Sequence, residues 1–168
     1  MKTFSHMKSH YNEDLTIQDI DKDVTLSGWV SAVRDLGGII FIELRDKTGF
    51  FQVVADPQIN PDVHAVFSKL KDEYVIQVKG KISKRPPETY NAELKTGEIE
   101  MYPSEVKIFS EAKLLPFDLS SDETKEDLRL KYRYLDIRRP QMTSNLKLRH
   151  DIVTAIRSYL NNAQFMEV

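Results

Sequence analysis

The segment GGIIFIELRD, residues 37–46, decides the fold of this chain. Apolar side chains alternate with others from residue 39 to residue 45, which predicts a β-strand with one face in a core. A second strand is predicted over residues 50–55, after a short turn in which Gly49 is free to adopt positive φ. We therefore expect a β-hairpin here, and the rest of the fold is read outward from it.

The neighbouring sequence predicts three more strands around this hairpin. They are Val24–Val30, Tyr74–Ile82 and Glu98–Tyr102, the last prolonged by Val106–Ile108. Between the third and fourth strands, apolar residues at helical spacing predict one short amphipathic helix: Val63, Val66, Phe67 and Leu70. Three strands, a helix and two strands is the order of a five-stranded OB-fold barrel, so the fold class is mainly β.

The rest of the chain has a different character. We expect a polar lead-in, mobile or short, over residues 1–14, the barrel over 15–112, a hinge over 113–140, and an amphipathic helix with the start of a strand over 141–168. The hinge is polar and charged between Ser120 and Asp127, and its serines and acids are also typical of a helix start. The second helix has an apolar stripe formed by Leu146, Ile152, Val153, Ile156, Tyr159 and Leu160.

Composition limits the kinds of chemistry that are available. The 168 residues carry a net charge of -2 and no cysteine, which excludes disulfides, cysteine-ligated zinc and thiol catalysis, and suits the cytoplasm. No run of 18 apolar residues predicts a transmembrane helix. The four histidines show no metal-ligand or triad spacing: His6, His10, His64 and His150. We therefore predict no catalytic residue, no metal site and no cofactor in this stretch.

Two residues of the hairpin have the chemistry to contact a nucleic acid. Period two places Phe41 on the outer face beside charged residues, where an aromatic ring can stack on a base. Gln52 lies on the neighbouring strand, and its amide can pair with a base edge. The alternatives are that Phe41 packs under a loop and that Gln52 is simply solvated.

The two loops that OB-folds use for oligonucleotides contain further candidates. Arg34 and Asp35 are expected in the loop before Gly37, and an arginine there can meet a phosphate or a base. The other loop, residues 84–97, is long, and long loops are usually functional or disordered. On the fifth strand Glu98, Glu100 and Tyr102 are expected to face outward, where a carboxylate helps only if it accepts from a base amino group.

Several motifs in family order resemble the class IIb aminoacyl-tRNA synthetases, the aspartyl, asparaginyl and lysyl group. The match extends roughly from residue 15 to residue 168, and its later motifs narrow the resemblance to the bacterial-type aspartyl branch. The motifs are Gly28-Trp29-Val30, residues 34–38, residues 41–46, Gly49, residues 52–54, Thr96-Gly97-Glu98-Ile99-Glu100 and residues 132–140.

The resemblance implies roles for five residues in anticodon reading. Phe41 matches the ring that stacks under the central anticodon uracil, and Gln52 matches the glutamine that contacts that base. Glu100 matches a glutamate that contributes to anticodon reading, Arg34 matches a loop arginine, and Asn91 falls where the family has an asparagine near the first anticodon base.

One departure from the family pattern concerns the residues before Arg34. Many bacterial relatives have consecutive arginines there, whereas this chain has Ala32 and Val33. Each missing phosphate contact lowers affinity and flattens its dependence on salt, so we expect weaker RNA binding than in the relatives.

The resemblance also implies a larger enzyme around this stretch. Its parent is expected to be an aspartate-tRNA ligase, a homodimer that uses ATP and Mg²⁺ to join aspartate to tRNA(Asp). The stretch ends inside a predicted strand, at the start of the motif that forms the family's dimer interface, so we expect a longer natural chain and no activity from these residues alone. Two alternatives stay open, namely a free-standing OB module that binds single-stranded nucleic acid without sequence preference, and a protein-interaction module that uses the helix stripe.

Overall fold

The computed structural model describes residues 7–119, 121 and 123–168. The chain divides into two compact units, one ending at Leu114 and one beginning at Leu115. The first unit has five strands, β1 (Asp23–Leu36), β2 (Ile39–Arg45), β3 (Phe50–Ala55), β4 (Val75–Lys84) and β5 (Ile99–Ser110), with one helix, α1 (Pro61–Phe67), between β3 and β4.

The five strands close into a barrel in the order β1-β2-β3-β5-β4. All neighbours are antiparallel except β3 and β5, which are parallel. The predicted OB-fold barrel is thereby confirmed. The alternating side chains of β2 and β3 fill the interior as expected, because Ile42, Leu44, Phe51 and Val53 are almost completely buried.

The turn between β1 and β2 is shorter than the sequence suggested. Strand β1 continues to Leu36, so Arg34 and Asp35 are strand residues and not loop residues as predicted. The two-residue turn consists of Gly37 and Gly38, whose φ angles of 65° and 89° suit glycine in a hairpin turn. The extended hairpin places Arg34 directly opposite Phe41.

The described part of the lead-in lies on the barrel. Asn12 is fully buried, and its side-chain amide donates to the carbonyl oxygens of Leu44 and Gly49 at 2.8 and 3.0 Å. Its backbone N–H donates to the carboxylate of Asp46 at 3.1 Å. Burial alone would raise the pKa of Asp46, but hydrogen bonds from Thr48 and Asn12 outweigh it and lower that pKa. These bonds connect the lead-in to the β2–β3 turn.

The second unit is helical. It contains α2 (Glu126–Lys131), α3 (Arg133–Asp136) and α4 (Pro140–Asn162), and the side chains of α4 are exposed along almost its whole length. The predicted amphipathic helix is therefore present after Pro140. Residues 165–168 pair with no strand of the described chain, so the start of a strand there stays a prediction. Ser120 and Asp122, where a helix start was expected, lie outside the described residues.

Within the described ranges, no helix combines the length and the apolar character that crossing a bilayer requires.

Candidate nucleic-acid interface

A small hollow of about 70 Å³ lies on the outer face of the barrel. The elements around it are the β1–β2 hairpin, β3 and the β4–β5 loop, which are the parts of an OB-fold that contact oligonucleotides. Its lining is Ala32, Arg34, Phe41, Ile42, Glu43, Gln52, Arg85, Asn91 and Leu94. The structure therefore brings four of the five sequence-predicted site residues to one place, and the fifth, Glu100, is bonded to one of them.

Phe41 and Arg34 form one side of the hollow. Because they are directly opposite each other on β2 and β1, their side chains share the outer face of the hairpin. Phe41 is half-buried and Arg34 is exposed. This pair offers an aromatic surface for a base beside a cation for a phosphate, without using the barrel core.

Gln52 also lines the hollow, and it is hydrogen-bonded to a buried carboxylate. Its Nε2 donates to Oε2 of Glu100 at 2.8 Å, and the hydroxyl of Tyr102 donates to the other carboxylate oxygen at 3.0 Å. Only 3% of Glu100 is exposed, so the expectation that it faces solvent is wrong. Its strand register does point it outward, but Gln52 and Tyr102 cover the carboxylate.

Arg85 is a site residue that the sequence reasoning did not single out. It directly follows β4, it is 4% exposed, and its Nε donates to the carbonyl oxygen of Ile99 at 3.0 Å. Its Nη2 is buried and has no hydrogen-bond acceptor among the described residues. Burial lowers the pKa of Arg85, while the carboxylates of Glu100 and Glu43 act in the opposite direction. The guanidinium remains a cation that lines the hollow, and its Nη2 has no acceptor among the described residues.

Asn91 belongs to the β4–β5 loop and also shapes it. Its Oδ1 accepts from the backbone N–H of Glu93 at 3.0 Å, which leaves the amide nitrogen to donate to a ligand. The backbone N–H of Asn91 donates to Gly97 O at 3.2 Å, which closes the loop. A Cβ atom on Gly97 would lie 1.8 Å from the carbonyl oxygen of Asn91, so this closure needs glycine.

Ala32 and Val33 stand where the family resemblance led us to expect arginines. Ala32 lines the hollow, directly after an irregularity in the β1–β2 register. Val33 is partly buried and packs against the core. Neither side chain can replace a cation at a phosphate.

No group of three or more His, Cys, Asp or Glu side chains able to hold a metal ion is present in residues 7–119, 121 and 123–168. What the hollow offers is an aromatic face, amide groups and guanidinium groups, which is chemistry for base and phosphate contacts.

Two family models match this chain. Residues 24–109 match the OB-fold nucleic acid binding domain of the tRNA anticodon type. Residues 125–168 match the tRNA synthetases of class II (D, K and N). The first match overlaps all five strands of the barrel and includes every residue that lines the hollow.

Characterised proteins give a consistent picture. The chain is 45% identical over 167 residues to an aspartate–tRNA(Asp/Asn) ligase of Trichodesmium erythraeum, and 44% identical over 162 residues to an aspartate–tRNA ligase of Enterococcus faecalis. Each alignment includes 96% of this chain but only 28% of the relative. The structure of an aspartyl tRNA synthetase from Entamoeba histolytica superposes with a TM-score of 0.85 at 20% identity, covering 98% of this chain and 39% of that one, which shows a shared fold.

Proposed function

Because this chain belongs to the tRNA anticodon family of OB-fold nucleic acid binding domains, we propose that it reads the anticodon loop of tRNA(Asp). It does so as the N-terminal part of an aspartate-tRNA ligase. The ligase relatives and the class II synthetase match over residues 125–168 support the choice of this enzyme. The chain spans about 28% of the length of those relatives, so the activity of a whole protein is part of this proposal.

The hollow is the observation that carries the proposal. Phe41 supplies a half-buried ring on which the central anticodon base stacks, and Gln52 contacts the edge of that base. Arg85 supplies a buried donor to the same base or its neighbour. Arg34 contacts a phosphate, and the amide nitrogen of Asn91 contacts the first anticodon base.

Binding of the anticodon stem-loop tests this assignment, and the ring of Phe41 is the sharpest probe. We expect Phe41→Ala to weaken binding of the tRNA(Asp) anticodon stem-loop roughly tenfold, because loss of one stacking platform costs about 1–3 kcal/mol. The measurement is a titration by fluorescence anisotropy at low and moderate salt. Phe109→Ala is the matched control, because Phe109 is a partly exposed ring on β5 outside the hollow.

The titration also separates the two RNA-binding alternatives. A stem-loop with its central uracil replaced is expected to bind more weakly than the natural loop. Equal binding of both loops would indicate a general single-strand binding module, because such modules tolerate any base on their stacking surface. If neither loop binds, anticodon reading by this chain is wrong.

We extend the proposal to the longer enzyme of which residues 1–168 form the N-terminal part. We propose a cytoplasmic homodimer that uses ATP and Mg²⁺ to activate aspartate before transfer to tRNA. Exposed apolar side chains on α4 support the dimer, since Leu148 is 61% and Ile156 is 54% exposed. No residue described above is assigned to ATP or Mg²⁺, and the chemistry that they supply is activation of the aspartate carboxyl group.

We propose further that residues 1–168 bind RNA without forming aspartyl-adenylate. The hollow contains base-contacting groups, and none of its residues is assigned to ATP or to the activation of a carboxyl group. ATP–pyrophosphate exchange in the presence of aspartate should therefore stay at the rate measured without protein. Exchange above that rate, from this chain alone, would overturn this part of the proposal.

A further inference from the structure

The described part of the lead-in, residues 7–14, contacts the β4–β5 loop as well as the barrel. Oε2 of Glu13 accepts from Nζ of Lys95 in that loop at 2.6 Å. The backbone N–H of Glu13 donates to Oγ1 of Thr48 at 3.1 Å, and the preceding residue, Asn12, is fully buried and bonded to the β2–β3 hairpin. We refer to Asn12, Glu13 and Lys95 as the brace.

The part of the loop that the brace holds also shapes the hollow. Asn91 and Leu94 line the hollow, and Lys95 directly follows Leu94. Backbone hydrogen bonds close this part into a compact turn, from Asn91 N–H to Gly97 O at 3.2 Å, from Leu94 N–H to Asn91 O at 3.2 Å and from Gly97 N–H to Leu94 O at 3.0 Å. A restraint on Lys95 is therefore also a restraint on Asn91 and Leu94.

A second anchor follows directly in the sequence. Thr96 is 1% exposed, and its hydroxyl donates to the carbonyl oxygen of Phe50 at 2.8 Å. Thr96 thus ties the turn to β3, and Lys95 ties it to the lead-in. The hydrogen bond and the charge of Glu13 raise the pKa of Lys95, as expected for an ammonium group with an anionic partner. A loop that is held before RNA arrives loses less conformational entropy on binding.

We propose that Glu13 and Lys95 are positioning residues, through which the lead-in holds the β4–β5 loop in the conformation that contacts RNA. This inference rests on the proposed anticodon reading, in which Asn91 contacts the first anticodon base. The brace acts from outside the hollow, since neither Glu13 nor Lys95 lines it. The lead-in therefore contributes to RNA affinity without a base contact of its own.

Glu13→Gln is the decisive substitution, because charge and positioning act on RNA binding with opposite signs. RNA is an anion, so the loss of a carboxylate should by charge alone leave its binding unchanged or tighter. Loss of the brace should instead weaken binding of the tRNA(Asp) anticodon stem-loop about threefold, as expected for a partly exposed ion pair. The measurement is a fluorescence-anisotropy titration at low salt, where such a pair is screened least.

Glu93→Gln is the matched control for charge. It removes an exposed carboxylate from the same loop without touching the brace, so RNA binding should stay equal or become tighter. Hydrogen exchange of residues 91–97, measured without RNA, should be faster in Glu13→Gln than in Glu93→Gln or the wild type. A general loss of stability would instead lower the melting temperature and speed exchange in the strands as well.

A double variant separates positioning from direct RNA contact by Lys95. Glu13→Gln and Lys95→Gln each break the same ion pair, so the double variant should bind RNA about as tightly as Lys95→Gln alone. If Lys95 instead meets a phosphate and Glu13 acts only by its charge, Glu13→Gln should tighten binding in both backgrounds. That result would overturn the brace.

The remaining outcomes distinguish this inference from the proposed function. A wild-type chain that does not bind the stem-loop would overturn anticodon reading and the brace together. A wild-type chain that binds, with Glu13→Gln as tight as Glu93→Gln, would overturn the brace alone, and so would weaker binding without faster exchange of residues 91–97. If Glu13→Gln does not fold, exchange of the same amides in Lys95→Gln decides, because the Lys95 side chain is 75% exposed.

Discussion

Arg85→Met is expected to weaken anticodon stem-loop binding roughly a hundredfold without lowering the free energy of unfolding. Truncating one partner of a buried charged hydrogen bond typically costs about 2–5 kcal/mol of binding. Arg85 is 4% exposed, and its Nη2 has no acceptor in the described chain until a ligand supplies one. The substitution therefore removes a contact that exists mainly in the complex.

In Arg85→Met the free energy of unfolding should stay equal or rise, although RNA binding weakens. Burial makes the charged form of Arg85 costly, which is why its pKa is lowered, and methionine of similar length removes that cost. Among the described residues, the side-chain hydrogen bond that the substitution removes from the unbound barrel is the donation from Nε to Ile99 O, which contributes about 1 kcal/mol. The two effects oppose each other, so urea unfolding of the variant should match or exceed that of the wild type.

A second variant separates the loss of the Arg85 contact from the loss of one positive charge. Lys79→Met also removes one positive charge. Lys79 lies on β4 outside the hollow, where it forms an exposed ion pair with Glu105 of β5. The effect of Lys79→Met should be small and should fade at higher salt. If Arg85→Met binds the stem-loop as well as Lys79→Met does, Arg85 is a structural residue and has no part in RNA binding.

The sequence predicted the hairpin of the site for a simple physical reason. In β2, and in β3 as far as Val53, each buried side chain alternates with an outer one, so Phe41 and Gln52 could be assigned to the outer surface from the sequence alone. The length of β1 was missed, although Gly37-Gly38 between two strand-forming segments is itself a signal of a two-residue hairpin turn. Arg34 is therefore a strand residue, although it was predicted in the loop.

The alternation of side chains along a strand could not predict which charged groups are buried. Arginine and glutamate are rarely buried, and Glu100 was expected to face outward, yet Glu100 and Arg85 are both buried. Glu100 is covered by side chains from two strands, Gln52 on β3 and its own neighbour Tyr102 on β5. Such cover depends on which strands become adjacent, and β3 lies beside β5 only once the barrel has closed.

Asp136→Asn is expected to destabilise the helical second unit by about 2 kcal/mol. Asp136 is completely buried, and its carboxylate accepts from Arg129 at 2.8 Å, Arg133 at 2.5 Å and Arg139 at 3.5 Å. These arginines belong to α2, to α3 and to the residue just before α4. One carboxylate thus joins three consecutive elements, and an amide in its place removes the negative charge that the three arginines share.

The stability of the second unit should depend on pH through the titration of the same carboxylate. The hydrogen bond from Arg129, with the other arginine contacts, lowers the pKa of Asp136 below its usual value of 3.8. Because the unfolded chain then binds the proton more readily, this stabilisation is complete above about pH 4 and is lost as the pH falls through the lowered pKa. The Asp136→Asn variant should lack that part of the acid transition.

Hydrogen exchange of residues 126–139 is the measurement that isolates this effect from the barrel. Exchange of those amides should be faster in Asp136→Asn, while the strands keep their wild-type protection. Asp151→Asn on α4 is the matched control, because its carboxylate is exposed and its loss should change exchange very little. Equal exchange in the two variants would mean that the three arginines are held by packing and that Asp136 adds no stability.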